Sequence, residues 1–62
     1  MVDMGTLVGT VRRFGFAGPP YEIIGFADPL PSGEIQMRIL LIESGEEVEY
    51  PVSEILNDPV ED

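Results

Sequence analysis

Residues 34–52 carry the clearest pattern in the chain. Ile35, Met37, Ile39 and Leu41 occupy alternate positions, as do Val48, Tyr50 and Val52, with Ser44-Gly45 between the two runs. Alternation with a period of two marks a half-buried strand, and Ser-Gly suits a two-residue hairpin turn. With those two residues as the turn, Leu41 faces Val48, Ile39 faces Tyr50 and Met37 faces Val52. Every pair is then apolar and on one face. A slip by one residue would carry Val48 and Tyr50 to the other face, so the pattern itself selects the pairing. On the reverse side Leu40 and Ile42 lie opposite Glu49 and Glu47.

Upstream, residues 21–27 read as a strand. Tyr21 and Ile23 point one way, and Ile24 and Phe26 share a face with Glu22. Gly25 inside this run marks a bulge or a close approach. Residues 28–33, with two prolines and a glycine, form the loop to the next strand. Residues 7–14 predict the first strand and residues 15–20 the connection after it, so neither loop proline pair interrupts a ladder. At the other end Pro51 belongs at a strand margin. Ser53 is placed to cap a short turn over residues 53–57 with Glu54 in its first turn, and Pro59 ends that turn at Asp58. Ile55 and Leu56 are expected to fold back and plug one end of the sheet.

These elements predict a mainly β protein: a small antiparallel meander of about four strands, curled or SH3-like, with a short C-terminal helical turn. The 62 residues form a single domain, 1–62, with 1–4 and 60–62 expected to fray. A chain of this length has a small core, so a partner or a second copy is a natural source of further stability.

Charge changes the picture. Twelve acids stand against three arginines and no lysine or histidine, for a net charge of −9. Residues 1–31 hold three acids and two arginines, a net of −1; residues 32–62 hold nine acids and one arginine, a net of −8. Such a field repels nucleic acid and attracts basic protein surfaces. The absence of cysteine and histidine excludes a disulfide scaffold, a thiolate or imidazole metal site, and a Ser-His or Cys-His nucleophile pair. No cofactor is expected. The longest apolar run, residues 39–42, is far below the ~20 residues that cross a bilayer, and the N-terminus lacks the features of a secretory signal. A cytoplasmic protein that does not engage membranes is the expectation.

Individual motifs read mostly as structure. Gly15-Phe16-Ala17-Gly18-Pro19-Pro20 lacks the following helix and lysine that a phosphate loop requires. Arg12 and Arg13 point to opposite faces of a strand and form no single basic patch; a charge-assisted structural role fits them. Glu43, Glu46, Glu47 and Glu49 make a solvated acidic tip without the ordered ligand alternation of a calcium loop. With only carboxylates and Tyr, Ser and Thr hydroxyls available, and no cleft expected, an enzyme is not predicted.

The stretch Gly9-Thr10-Val11-Arg12-Arg13-Phe14-Gly15, then Gly18-Pro19 and Tyr21-Glu22-Ile23, resembles a signature of very short uncharacterised bacterial proteins. Glu43-Ser44-Gly45-Glu46, Tyr50 and Leu56-Asn57-Asp58-Pro59 continue it. The resemblance implies a bacterial domain of unknown function and supplies no catalytic residues. The entry of a strand into Val52-Ser53-Glu54-Ile55-Leu56 is similar to the closing turn of SH3-like barrels, which bears on fold alone.

The functional expectation is a non-enzymatic acidic module that binds another protein or itself, as a homodimer. Its candidate interface is Ile24, Phe26, Leu40 and Ile42, ringed by Glu47 and Glu49. The alternative is an antitoxin-like or inhibitor-like protein that neutralises a basic effector, with nucleic-acid mimicry as one route.

Overall fold

Four antiparallel strands lie side by side in chain order in a computed structural model that describes residues 4–61. They are β1 (Val11–Arg13), β2 (Pro20–Phe26), β3 (Gln36–Leu41) and β4 (Glu46–Pro51), preceded by a 3-10 turn (Met4–Leu7) and followed by the helix α1 (Val52–Asn57). The expected four-strand meander with a short C-terminal helix is what the chain forms. The sheet is open: β1 and β4 lie at opposite edges and do not pair, so no SH3-like barrel closes.

One face of the sheet carries the core. Tyr21, Ile23, Met37 and Ile39 are fully buried there, joined by Leu7 from the 3-10 turn and by Val52 and Ile55 from α1. Phe14, Leu41, Val48 and Tyr50 pack around them. The faces follow the alternation in sequence, but Ile35 does not join its run. It precedes β3 and stands 41% exposed.

The β3–β4 pairing differs from the expected one by two residues. Leu41 stands opposite Glu46, Ile39 opposite Val48 and Met37 opposite Tyr50. The cause is a four-residue loop, 42–45, in place of a two-residue turn. The Leu41 carbonyl accepts from the amides of Ser44 and Gly45 at 3.2 and 2.7 Å. The Ser44 hydroxyl accepts from the Glu46 amide, and Gly45 closes the loop at φ +77°, a conformation that favours glycine. A shift of two leaves every side chain on its face, which is why the core survives the different pairing.

The first strand is also shorter than expected. Leu7, predicted within it, lies in the 3-10 turn, where its carbonyl accepts from the Thr10 amide (3.1 Å) and hydroxyl (2.6 Å). Local bonds of this kind compete with a ladder, and Gly9 at φ +91° turns the chain before β1 begins. Pro20, expected in the loop, opens β2 at the outer position opposite Arg13. The bulge lies where Gly25 pointed: the β2–β3 register shifts between Ile23 and Gly25.

Ser53 is not the cap of α1. Pro51 occupies the N-cap position with no side-chain bond, and the Glu34 carboxylate from the loop before β3 takes the exposed donors instead. It accepts from the Ser53 amide at 3.3 Å and from the Ser53 hydroxyl. An anion is favourable at that end of a helix. Asp58 leaves the helix in an extended conformation before Pro59, as expected. Of the two plug residues, Ile55 is buried and Leu56 faces outward.

Val60 and Glu61, expected to fray, are paired. The Arg13 amide donates to the Pro59 carbonyl (3.1 Å) and the Glu61 amide to the Val11 carbonyl (2.9 Å), and Arg13 Nε meets the Glu61 carboxylate at 2.5 Å. The unpaired edge of β1 supplies ladder partners that composition alone does not reveal. The remaining residues expected to fray, 1–3 and 62, lie outside the described residues, and of Met4 only the backbone is described. No described helix is long and apolar enough to cross a membrane.

Candidate functional site

The four apolar residues of the expected interface, Ile24, Phe26, Leu40 and Ile42, are not set in one row of the sheet. Leu40 stands between Glu22 of β2 and Glu47 of β4 in the ladder. On the next rung of that face Arg38 stands opposite Glu49, and their side chains approach to 3.4 Å. Ile24 falls in the bulge. The extra residue there sets Phe26 opposite Met37 and takes it out of the Glu22 row. Ile42 lies beyond the end of β3, its amide donating to the Pro20 carbonyl. On the reverse face Leu40 is therefore flanked by charged residues, Ile24 is half-buried in the bulge, and Phe26 and Ile42 are exposed (58% and 46%). Glu47 and Glu49 are exposed, as expected of an acidic tip.

A polar cluster that the sequence did not single out sits at the other side of the sheet. Asp58 Oδ2 accepts from the Tyr21 hydroxyl at 2.7 Å and from the Tyr50 hydroxyl at 3.1 Å. Its Oδ1 accepts from the Gly15 amide at 3.1 Å. The three aromatic rings above it interlock: Phe14 lies 4.4 Å from Tyr21 and 5.3 Å from Tyr50, the second contact edge-on. Tyr21 and Tyr50 meet edge-on at 5.6 Å, within the range in which aromatic pairs attract.

Arg12 completes the cluster. It stands opposite Tyr21, and its guanidinium donates to the carbonyls of Ile55 (3.1 Å) and Asp58 (2.9 Å) at the end of α1. A fixed cation belongs at that pole. Its Nε is buried without a hydrogen-bond partner among the described residues, a desolvation cost set against those two charge-assisted bonds. Arg13, on the opposite side of β1, reaches the Gly18 carbonyl and Glu61. The opposed directions expected for the pair are what the strand produces.

The cluster shifts its hydroxyls. Burial, then the bond to Asp58 and its charge, push the Tyr50 hydroxyl up to about 12. The same causes raise Tyr21 further. Both phenols stay protonated and donating across the neutral range, so neither is prepared as a base or nucleophile. No group of three or more carboxylates among the described residues is arranged to hold a metal ion.

The cluster also pins the loop between β1 and β2. Besides the Gly15 bond to Asp58, the Phe14 amide donates to the Pro19 carbonyl (3.3 Å). Arg13 Nη1 donates to the Gly18 carbonyl at 3.2 Å. Gly18 packs so tightly that a β-carbon there would fall 2.0 Å from the Phe14 carbonyl oxygen. At the apex of this tied loop Phe16 is 98% exposed. The one signal in the sequence for the Asp58 cluster was the combination of Tyr21, Tyr50 and an aspartate before a proline, and only the fold brings these together.

The family model that describes a family of unknown function, DUF5397, matches residues 2–62. The chain belongs to this family. The chain is also similar to an uncharacterised protein of Haemophilus influenzae, 39% identical over 51 residues, 82% of this chain and 81% of that protein's own length. The expectation of a small uncharacterised bacterial family therefore holds. For DUF5397 neither comparison adds an activity to the geometry described above.

Proposed function

We propose that this chain is a non-enzymatic acidic module that binds another protein, in the cytoplasm, without cofactor, nucleic acid or membrane. The observation that supports it is the division of apolar residues. Among the described residues seven hydrophobic residues are buried and four more pack against them, while seven large ones, Phe16, Phe26 and Ile42 among them, stand exposed. Isolated exposed aliphatics are ordinary. Seven exposed against eleven in or around the core is a heavy burden for a domain whose small core leaves little stability to spare. The hydroxyls of the Asp58 cluster both donate to its carboxylate, which supports a structural role for them.

Salt separates the ways in which this reading could be met. Two copies, each at −9, repel, so self-association strengthens as salt screens them. A basic partner binds more weakly in salt. Sedimentation velocity at low and high salt, on the protein alone and on its complex isolated from native cells, reads both. A strict monomer under both conditions that forms no stoichiometric complex would sink the proposal.

A further inference from the structure

We infer that Phe16 is the anchor of this module, its ring inserting into an apolar pocket of a folded partner protein whose rim is basic. The inference rests on the reading of the chain as an interaction module and adds the contact residue and the partner's chemistry. Phe16 serves no purpose within the fold. It is 98% exposed, while its neighbour Phe14 supplies the ring that packs on Tyr21 and Tyr50. An aromatic side chain held out at the tip of a chain with only three phenylalanines is the kind of residue that dominates binding when it fills a pocket.

The loop is prepared for that task. Its base is fixed by the Phe14–Pro19 backbone bond, by Asp58 on the Gly15 amide and by Arg13 on the Gly18 carbonyl. Gly18 fits against Phe14 with no room for a side chain. A segment already ordered before contact loses little entropy on docking, and that saving appears as affinity. A single protruding ring also calls for a concavity opposite it, where a flat surface would leave most of the ring in water.

Charge selects the partner. The net charge of −9 opposes an anionic bilayer, a nucleic acid and a second copy alike. The two arginines at the base of the loop are already committed, Arg12 to the end of α1 and Arg13 to Gly18 and Glu61. Neither is free to draw phosphate groups to the loop. A basic rim around the receiving pocket is what this field complements.

The test uses the full chain carrying a photoreactive phenylalanine derivative in place of Phe16, or in place of Ile42, expressed in its native cells. The expected result is a discrete adduct from position 16 with a different protein. Once purified, that protein should bind Phe16→Ser at least about thirtyfold more weakly than the unaltered chain, and more weakly as salt rises. Phe16→Ser should melt as the unaltered chain does, since the ring packs on nothing. An adduct between two copies of this chain overturns the inference. So does Phe16-dependent flotation with phosphatidylglycerol–phosphatidylethanolamine vesicles, or equal binding of the purified partner by both forms. Adducts from position 42 with none from 16 overturn the anchor and leave the interaction module standing; none from either position overturns both.

Discussion

The hydroxyl of Tyr21 donates to Asp58 at 2.7 Å across 37 positions of chain, and it joins the central strand β2 to the segment that leaves α1. The same carboxylate oxygen takes the Tyr50 hydroxyl, and its partner oxygen takes the Gly15 amide. One side chain thus ties β2, β4 and the loop after β1. Asp58→Ala leaves two phenols and an amide without their acceptor and should cost roughly 2–3 kcal/mol. Glu47→Ala, on the exposed tip, should stay within about 0.5 kcal/mol. Urea denaturation of the two variants checks the contrast, and equal midpoints would refute the role given to Asp58.

The raised tyrosines make an alkaline prediction. Each phenol has its folded value above the unfolded one near 10, so the neutral form is the one the fold favours. The stability this confers is complete below pH 10. It falls as pH rises from there through about 12, where Tyr50 ionises in the fold. With two tyrosines and no tryptophan, tyrosinate absorbance reports them cleanly. It should rise together with the loss of β-sheet circular dichroism. A titration near pH 10 in a protein still folded would contradict the bonds of both hydroxyls to Asp58.

The β3–β4 pairing is open to a direct check by nuclear Overhauser effects. The Val52 amide donates to the Ile35 carbonyl, so the hydrogen-bonded pairs are 37 with 50 and 39 with 48. The closely spaced pairs between them are Arg38 with Glu49 and Leu40 with Glu47. Strong Hα–Hα effects are expected for those two pairs. An effect between Leu40 and Glu49 in their place would restore the two-residue turn.

Two glycines of the β1–β2 loop should differ in tolerance. At Gly15 (φ +64°) an alanine meets open space and suffers only the left-handed backbone, a cost of about 1–2 kcal/mol. At Gly18 the new carbon would lie 2.0 Å from a backbone oxygen that cannot swing aside, and at least about 2 kcal/mol should be lost as the loop is forced open. Thermal melts of Gly15→Ala and Gly18→Ala rank them. The reverse order would mean that the loop is not held as described.

Adjacent residues of β3 offer the matching test of the sheet's faces. Ile39 is fully buried and Leu40 is only half-buried among carboxylates. Ile39→Ala should cost about 2–5 kcal/mol, enough to unfold so small a domain, whereas Leu40→Ala should cost less than about 1.5 kcal/mol. Chemical denaturation of both variants decides it, and similar losses would mean that the second face is covered.

What could be read from the chain was whatever local pattern encodes. The alternation of Met37, Ile39, Leu41, Val48 and Tyr50 announced two strands and their buried face, Gly25 announced the bulge, and Pro59 the end of α1. What escaped depended on contacts distant in sequence. Glu34 replaces Ser53 at the helix start from 19 positions away. Glu61 and Pro59 complete the edge of β1, and Asp58 finds its tyrosines only after the sheet has formed. The candidate interface suffered from the same limit. The extra residue at Ile24 turned Phe26 out of the row to which strict alternation assigned it, and the wide loop placed Ile42 beyond the strand.

The four-residue loop at 42–45 bears on how this hairpin tolerates change in length. Because a side chain's face depends only on whether its position is odd or even relative to the turn, shortening the loop by two residues would leave Val48 and Tyr50 beneath the core. Gain or loss of one residue would invert the whole of β4, driving Glu47 and Glu49 inward, unless a second bulge absorbed it as the one in β2 already does. Homologues of this domain should therefore differ at the hairpin tip by even steps, and odd steps should come paired with a glycine further along the strand.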